Sequence, residues 1–267
     1  MVKAIVTGAA GRMGSRIISI IRDTEGIELS GALERNGNPA IGKDAGFFSG
    51  GALSGISITS SLEQVIDKGD VVIDFTAAEA SIENLKVVSK AGKAIVIGST
   101  GFTSAQIEEV KKYCGEVPCV MSANMSVGVN VMLKVLHDTA STLGEDYDVE
   151  IIEAHHRLKK DAPSGTALMI AGCLADALGS DLSEVGVYSR HGIIGERSKK
   201  EIGIQTIRGG DIVGDHTVMF AGTGERLEFT HRAHTRDNFA RGAIRAAMWV
   251  VGKNPGLYDM QDVLGLK

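Results

Sequence analysis

The chain has 267 residues and a formal net charge of -5, with 33 Asp and Glu against 28 Lys and Arg. This length accommodates two modest domains with real cores, and the acidic balance, with no basic run, argues against a nucleic-acid binder. No apolar stretch approaches the roughly 18 residues that span a bilayer, and Met1 to Val6 enters a strand pattern without a charged-then-apolar leader, so we expect a cytoplasmic protein acting on small metabolites. Cys114, Cys119 and Cys173 lack CxxC or metal-type spacing, which predicts reduced, buried thiols and no metal site.

Val2 to Thr7 reads as a buried strand, followed by the glycine turn Gly8-Ala9-Ala10-Gly11-Arg12-Met13-Gly14 and a helix through Ile17, Ile18 and Ile21. Gly8 allows a sharp turn, Gly11 lets the main chain approach a pyrophosphate, and Gly14 lets helix and strand pack closely. The amides from Ala9 to Met13 are then expected to face phosphate oxygens. The spacing is GxxGxxG and not GxGxxG, a weak signal that gains weight from the next strand, Ile27 to Leu33, which ends in Glu34-Arg35. An acid there suits the ribose hydroxyls of NAD and a cation suits the extra phosphate of NADP, so use of both NADH and NADPH is predicted.

Residues 36–55 have no period and read as a long surface excursion. Regularity returns with a strand over 56–59, a helix from Ser61, the strand Val71 to Phe75, a helix through Leu85 and Val88, the strand Ala94 to Ile97, a helix from Thr103 and the strand Val117 to Met121. Such alternation predicts a parallel, doubly wound Rossmann-like sheet, with ligands outside the carboxyl ends of its strands. Three strand-end loops qualify: Phe75-Thr76, Gly98-Ser99-Thr100-Gly101 and Ser122-Ala123-Asn124-Met125. Their backbone groups are expected around the nicotinamide and its ribose.

The pattern changes at Ser126. A helix through Val131 and Leu136 leads to a short strand over 149–152, and Ile202 to Ile207, Ile212 to Phe220 and Arg226 to Thr230 read as strands without intervening helices. This predicts a smaller α+β domain with a mostly antiparallel sheet, residues 126–235, for substrate binding and oligomerisation. The closing helix through Phe239, Ile244 and Ala247 is expected to return to the dinucleotide-binding domain, residues 1–125 and 236–267, with the reaction in the cleft between the two.

The chemistry concentrates in Glu153 to Ala167, EAHHRLKKDAPSGTA. Alternation along a strand sends His155 and His156 to opposite faces. Ser164 is a good N-cap for a helix carrying Ala167, Ile170, Ala171 and Leu174, which places the Gly165 and Thr166 amides at the positive end of its dipole, where a carboxylate binds. With Lys159 and Lys160 on the intervening loop, the segment describes a pocket for a small acid undergoing proton-coupled chemistry. The residues alone also admit another two-domain nicotinamide-dependent dehydrogenase, or a dinucleotide-sensing protein without turnover; a metal hydrolase has no ligand spacing to support it.

GAAGRMG, Glu34-Arg35, DFT at Asp74 to Thr76, GSTG at Gly98 to Gly101, NMSVGVN at Asn124 to Asn130 and EAHHRLKKDAPSGTA follow one another as in the 4-hydroxy-tetrahydrodipicolinate reductase (dihydrodipicolinate reductase) family, which this chain resembles over nearly its whole length. Two departures are visible, Ser99 in place of a usual threonine and Met125 in place of a usual phenylalanine. The resemblance implies NAD(P)H-dependent reduction of a cyclic dicarboxylate in lysine and diaminopimelate biosynthesis. It also implies that His155 donates or accepts a proton, His156 touches substrate, Lys159 donates the proton, Gly165 and Thr166 bind a substrate carboxylate, and a homotetramer assembles through the second domain's sheet. Of the two proton-transfer groups we rank Lys159 first as donor and give His155 a stabilising or shuttle role.

Overall fold

The computed structural model describes all 267 residues, and the chain divides into two compact units: Met1–Val127 with Arg236–Lys267, and Gly128–Thr235.

The first unit opens with β1 (Val2–Thr7), α1 (Arg12–Arg22) and β2 (Ile27–Leu33). The excursion that follows is irregular but tethered. It holds one helical turn, α2 (Ala45–Phe48), whose N-cap Asp44 accepts from the amides of Gly46, Ser54 and Gly55 at 2.7 to 2.8 Å. After it, β3 is only Ile58–Thr59, and the helix expected from Ser61 does not form. In its place the Leu62 carbonyl accepts from the amides of both Val65 and Ile66, and a 3₁₀ turn over Ile66–Lys68 ends at Gly69. Seven residues lie between Ser61 and Gly69, and the extended backbone of Gly69, φ -117° and ψ 162°, ends the turn before a longer helix can propagate.

Then come β4 (Val71–Asp74), α3 (Ala78–Ala91), β5 (Ala94–Ile97), α4 (Ser104–Cys114) and β6 (Pro118–Met121). The second unit takes the chain through α5 (Val127–Leu143), β7 (Asp148–His155), α6 (Gly165–Ala177), α7 (Leu182–Val185), β8 (Gly186–Val187), β9 (Ile202–Arg208), β10 (Gly214–Ala221) and β11 (Arg226–Ala233). The closing segment, α8 (Asp237–Val250), β12 (Gly256–Tyr258) and α9 (Met260–Leu264), belongs to the first unit.

The first unit's sheet has the order β12-β6-β5-β4-β1-β2-β3, parallel throughout. Both faces are covered, which is why its strands are continuous apolar runs. Ala4, Val6, Ile73 and Val96 join the core with α1 and α8, while the alternate Ile5, Val72, Ile95 and Ile97 join the core with α3 and α4. Strand order reverses between β1 and β4, the position at which such sheets hold ligands.

The second sheet, β11-β10-β7-β9-β8, is mixed: β10 pairs antiparallel with β11 and β7, whereas β9 pairs parallel with β7 and β8. One face carries Val149, Ile151, Ile204, Val218 and Phe220 into a core with α5 and α6. Ile152 and Ile207 point from the other face and are 37% and 50% exposed. No helix of the chain is long and apolar enough to cross a membrane.

Candidate active site

In the first unit a cavity of about 720 Å³ lies at the carboxyl ends of β1, β2 and β4, with Gly8, Gly11, Arg12, Met13, Glu34 and Arg35 in its lining. The cradle is shaped for main-chain contact. Gly8 adopts φ 63°, and a Cβ on Gly14 would overlap the Gly8 carbonyl, so the turn can close on the helix only with glycine there. These residues fit the pyrophosphate and adenosine part of a dinucleotide.

The amides divide differently from the sequence-based expectation. Ala9 N–H donates to the Leu33 carbonyl at 2.9 Å, Gly11 N–H to Gly8 at 2.9 Å, and Ala10 N–H to Glu34 Oε1 at 3.0 Å. That leaves Arg12 and Met13, the first residues of α1, as the amides aimed outward. Glu34 is itself held, its Oε2 accepting from Asn38 Nδ2 at 2.9 Å, while Arg35 is exposed.

Asp74 organises the neighbouring loops. Fully buried, its Oδ1 accepts from Thr76 N at 2.9 Å, Thr76 Oγ1 at 2.6 Å, Ser81 Oγ at 3.2 Å and Ser99 Oγ at 3.3 Å, and its Oδ2 accepts from Asn84 Nδ2 at 2.8 Å. Ser99 is turned inward onto Asp74 and Ser81, and Met125, 1% exposed, is part of the core, so both can offer a ligand only main chain. Gly98 is half-buried, Thr100 and Ala123 are exposed, and Ser122 Oγ donates to the Asn124 carbonyl at 2.9 Å.

In the second unit β7 delivers the strand-end chemistry. Glu153 and His155 share a face by alternation, and His155 Nδ1 lies 2.6 Å from Glu153 Oε2. Glu153 Oε1 accepts the Ser164 amide at 2.9 Å, and Arg208 grips both oxygens at 2.8 Å. Burial pushes the Glu153 carboxyl up, but Arg208, His155 and the Ser164 amide outweigh it and hold it at about 2. His155 is pulled below its ordinary value chiefly by burial, against the raising effect of Glu153. Behind it His216 stacks edge-on, ring centroids 5.2 Å apart, with Nε2 3.0 Å from Ser164 Oγ; burial and His155 press it down to about 4.

Ser164 caps α6 by accepting from Ala167 N at 3.1 Å, with Gly165 and Thr166 in the first turn. His156 extends past the strand with its amide bonded to the Ile212 carbonyl at 2.7 Å, and its buried Nδ1 has no partner. Lys159 Nζ lies 2.9 Å from Asp161 Oδ2. Imidazole, ammonium and helix start are thus gathered along 12 residues of one unit.

Residues 2–125 and 128–264 match the family descriptions Dihydrodipicolinate reductase, N-terminus, and Dihydrodipicolinate reductase, C-terminus. The chain belongs to the dihydrodipicolinate reductase family. It is 63% identical to the 4-hydroxy-tetrahydrodipicolinate reductase of Syntrophobacter fumaroxidans and 60% identical to that of Syntrophus aciditrophicus, each over 100% of both chains. Among solved structures, a dipicolinate-bound dihydrodipicolinate reductase from Paenisporosarcina sp. TG-14 superposes with a TM-score of 0.78 at 25% identity, covering 98% of each chain. The chain is accordingly an NAD(P)H-dependent oxidoreductase of lysine and diaminopimelate biosynthesis.

Several residues of this reductase's cavity escaped sequence reasoning. Ser60, Ser61 and Glu63 line it because the segment after β3 is a turn and not the expected helix, and Ala80 and Asn84 reach it from the first turns of α3. The strand-end rule that selected Phe75-Thr76 also covers the loop after β3. Glu153 opens the stretch the sequence singles out but is given no role there, and Arg208 and His216 lie outside it. The alternation of β7 does pair Glu153 with His155, but Arg208 and His216 arrive from β9 and β10 through pairings that single-sequence periodicity cannot supply.

Proposed function

We propose that this reductase uses both NADH and NADPH to reduce a cyclic dicarboxylate, with the dinucleotide on the first unit and the diacid on the second. When bound, the reduced nicotinamide would supply a hydride to a ring carbon of the unsaturated diacid that 4-hydroxy-tetrahydrodipicolinate becomes once its hydroxyl has left as water. The Arg12 and Met13 amides receive the pyrophosphate, Glu34 the ribose hydroxyls of NADH, and Arg35 the added phosphate of NADPH. Main chain at Gly98 to Thr100 and Ser122 to Met125 borders the nicotinamide.

On the second unit, the Gly165 and Thr166 amides and His156 hold the carboxylates. Negative charge accumulates on the ring as the hydride arrives, and Lys159 supplies the neutralising proton from its ammonium. His155 stabilises that charge or relays the proton that recharges the lysine. The observation that carries this reading is the pair of bonds from Glu153, one to His155 Nδ1 at 2.6 Å and one to the Ser164 amide at 2.9 Å, which tether the imidazole and the carboxylate-binding helix start to the same buried group. The exposed sheet face around Ile152 and Ile207 supports assembly as a homotetramer.

Steady-state oxidation of NADH and of NADPH in the presence of freshly generated 4-hydroxy-tetrahydrodipicolinate tests the reading. Turnover with both is expected; oxidation of only one cofactor removes dual use, and oxidation of neither removes the reaction.

A further inference from the structure

Glu153 is wholly buried, and no part of the proposed chemistry consumes its charge. An ionised carboxylate in that position is costly unless every lone pair is used. Here they are: His155 Nδ1 lies at 2.6 Å, the Ser164 amide at 2.9 Å, both Arg208 terminal nitrogens at 2.8 Å, and Thr206 Oγ1 at 3.3 Å. Arg208 is fixed in turn by donating to the Asp161 carbonyl at 2.6 Å. We propose that Glu153 is a positioning residue for the reduction: it holds His155 as the Nδ1–H tautomer, leaving Nε2 to take the proton, and it locks that imidazole to the start of α6, while Arg208 limits how strongly it does so.

The tautomer follows from the partner. An ionised carboxylate only accepts, so Nδ1 must carry the hydrogen and the lone pair of the neutral ring must sit on Nε2. Space around that nitrogen is kept by Gly214, where a Cβ would lie 2.9 Å from Nε2. The charged and titratable groups facing the imidazole are Glu153 on its own strand, Lys159 on the following loop, Arg208 on β9 and His216 on β10. Glu153 favours the imidazolium and touches it; Lys159 and Arg208 oppose it, and His216, itself neutral, packs edge-on against the ring. With Arg208 neutralising most of the carboxylate's charge, His155 remains neutral and able to accept, yet stays oriented. Arg208 alone would expel the proton, and Glu153 alone would trap it.

The proposal rests on the reading of His155 as a proton-transfer group, and the test reads the imidazole whether or not that reading holds. In the full chain labelled with ¹⁵N and ¹³C histidine, the His155 resonances are assigned by their loss in His155→Gln. The ¹⁵N shifts of the native protein are expected to show the Nδ1–H tautomer; an Nε2–H tautomer overturns the proposal without any variant. Glu153→Gln is expected to lower the His155 titration midpoint by about one unit, tenfold in proton affinity, and Arg208→Gln to raise it by a similar amount. Should the single variants fail to fold because each strands a buried partner, the paired variant Glu153→Gln with Arg208→Met removes both charges, and its midpoint is expected below the native one. Midpoints that stay put, or that move in the same direction in both single variants, mean that Glu153 and Arg208 merely hold the fold together. If the midpoints shift as stated while His155→Gln turns over at the native rate, Glu153 still sets the tautomer and placement of the imidazole, but the reading of His155 as a proton-transfer group falls and the role in the reduction falls with it.

Discussion

Asp161 Oδ2 sits 2.9 Å from Lys159 Nζ, so the ammonium assigned as proton donor is anchored two residues further along its own loop. Asp161 is more than half exposed, and a pair of that kind is worth about 0 to 1 kcal/mol. The lysine is therefore oriented by the aspartate but not immobilised by it. Lys159→Ala is expected to lower kcat by roughly a hundredfold or more, the usual contribution of a positioned acid, while the affinity for NADH, followed by fluorescence titration, stays native. Asp161→Asn removes only the anchor and is expected to change kcat by about fivefold at most, within the worth of an exposed pair. A Lys159→Ala enzyme turning over at the native rate would take the lysine out of the mechanism.

In the proposed reading cofactor choice turns on the neighbours Glu34 and Arg35, which differ in freedom. Glu34 is 9% exposed and tied to the Ala10 amide, whereas Arg35 is exposed at the cavity edge. Glu34→Gln keeps an acceptor for a ribose hydroxyl but removes the charge that repels a phosphate. The KM for NADPH is expected to fall and that for NADH to rise, each by about threefold to tenfold, the net worth of an ordinary hydrogen bond. Arg35→Ala is expected to raise the KM for NADPH by about tenfold with little effect on NADH, as the loss of one exposed cation–phosphate contact would. Kinetics with both reduced cofactors decide each point.

Much of this molecule is legible in its sequence. The glycine turn, the Ser164 cap and the parallel sheet rest on local rules: φ above zero at Gly8, side-chain capping at a helix start, and apolar runs buried on two faces. What local rules missed was cross-strand. Arg208 reaches Glu153 because β9 lies parallel to β7 with His155 opposite Arg208, and His216 lies opposite Glu153 across the antiparallel β10. The helix expected from Ser61 does not form, because the tight turn at Leu62 and the stop at Gly69 leave no room for one. The Ala9 and Gly11 amides were misassigned because a glycine turn bonds to itself and to the next strand before it can bond to a phosphate.

The buried His216 couples stability to pH. Its folded-state value of about 4 lies below the ordinary 6.5, so between those limits the unfolded chain binds more protons than the native one. The resulting stability is complete above pH 6.5 and is lost as the pH falls towards 4, a span worth roughly 3 kcal/mol. Glu153, held at about 2, adds a second loss in the same direction below about pH 4.5. Thermal or urea unfolding followed from pH 7 to pH 4 is expected to show a steep fall. His216→Asn cannot titrate and is expected to flatten that fall by about one proton, near 1.4 kcal/mol per pH unit within the window. An unchanged slope in the variant would place the acid sensitivity elsewhere.

The open face of the mixed sheet carries the last expectation. Ile152 lies beside Gln205 on β9 and Thr217 on β10, Ile207 lies beside Ala154, and Thr217 bonds Thr230 at 3.0 Å across to β11, so one outward surface runs over four strands. Two exposed isoleucines on a sheet whose opposite face is already packed against α5 and α6 are poorly suited to water, and a second copy presenting the same face would cover them. Placing a charge there leaves the unit's own core untouched, because neither side chain contributes to it. Ile152→Lys combined with Ile207→Glu is expected to convert the proposed tetramer into smaller species in sedimentation equilibrium, with the far-ultraviolet circular dichroism preserved. A native enzyme sedimenting as a monomer, or a charged variant that remains tetrameric, would remove this face from the assembly.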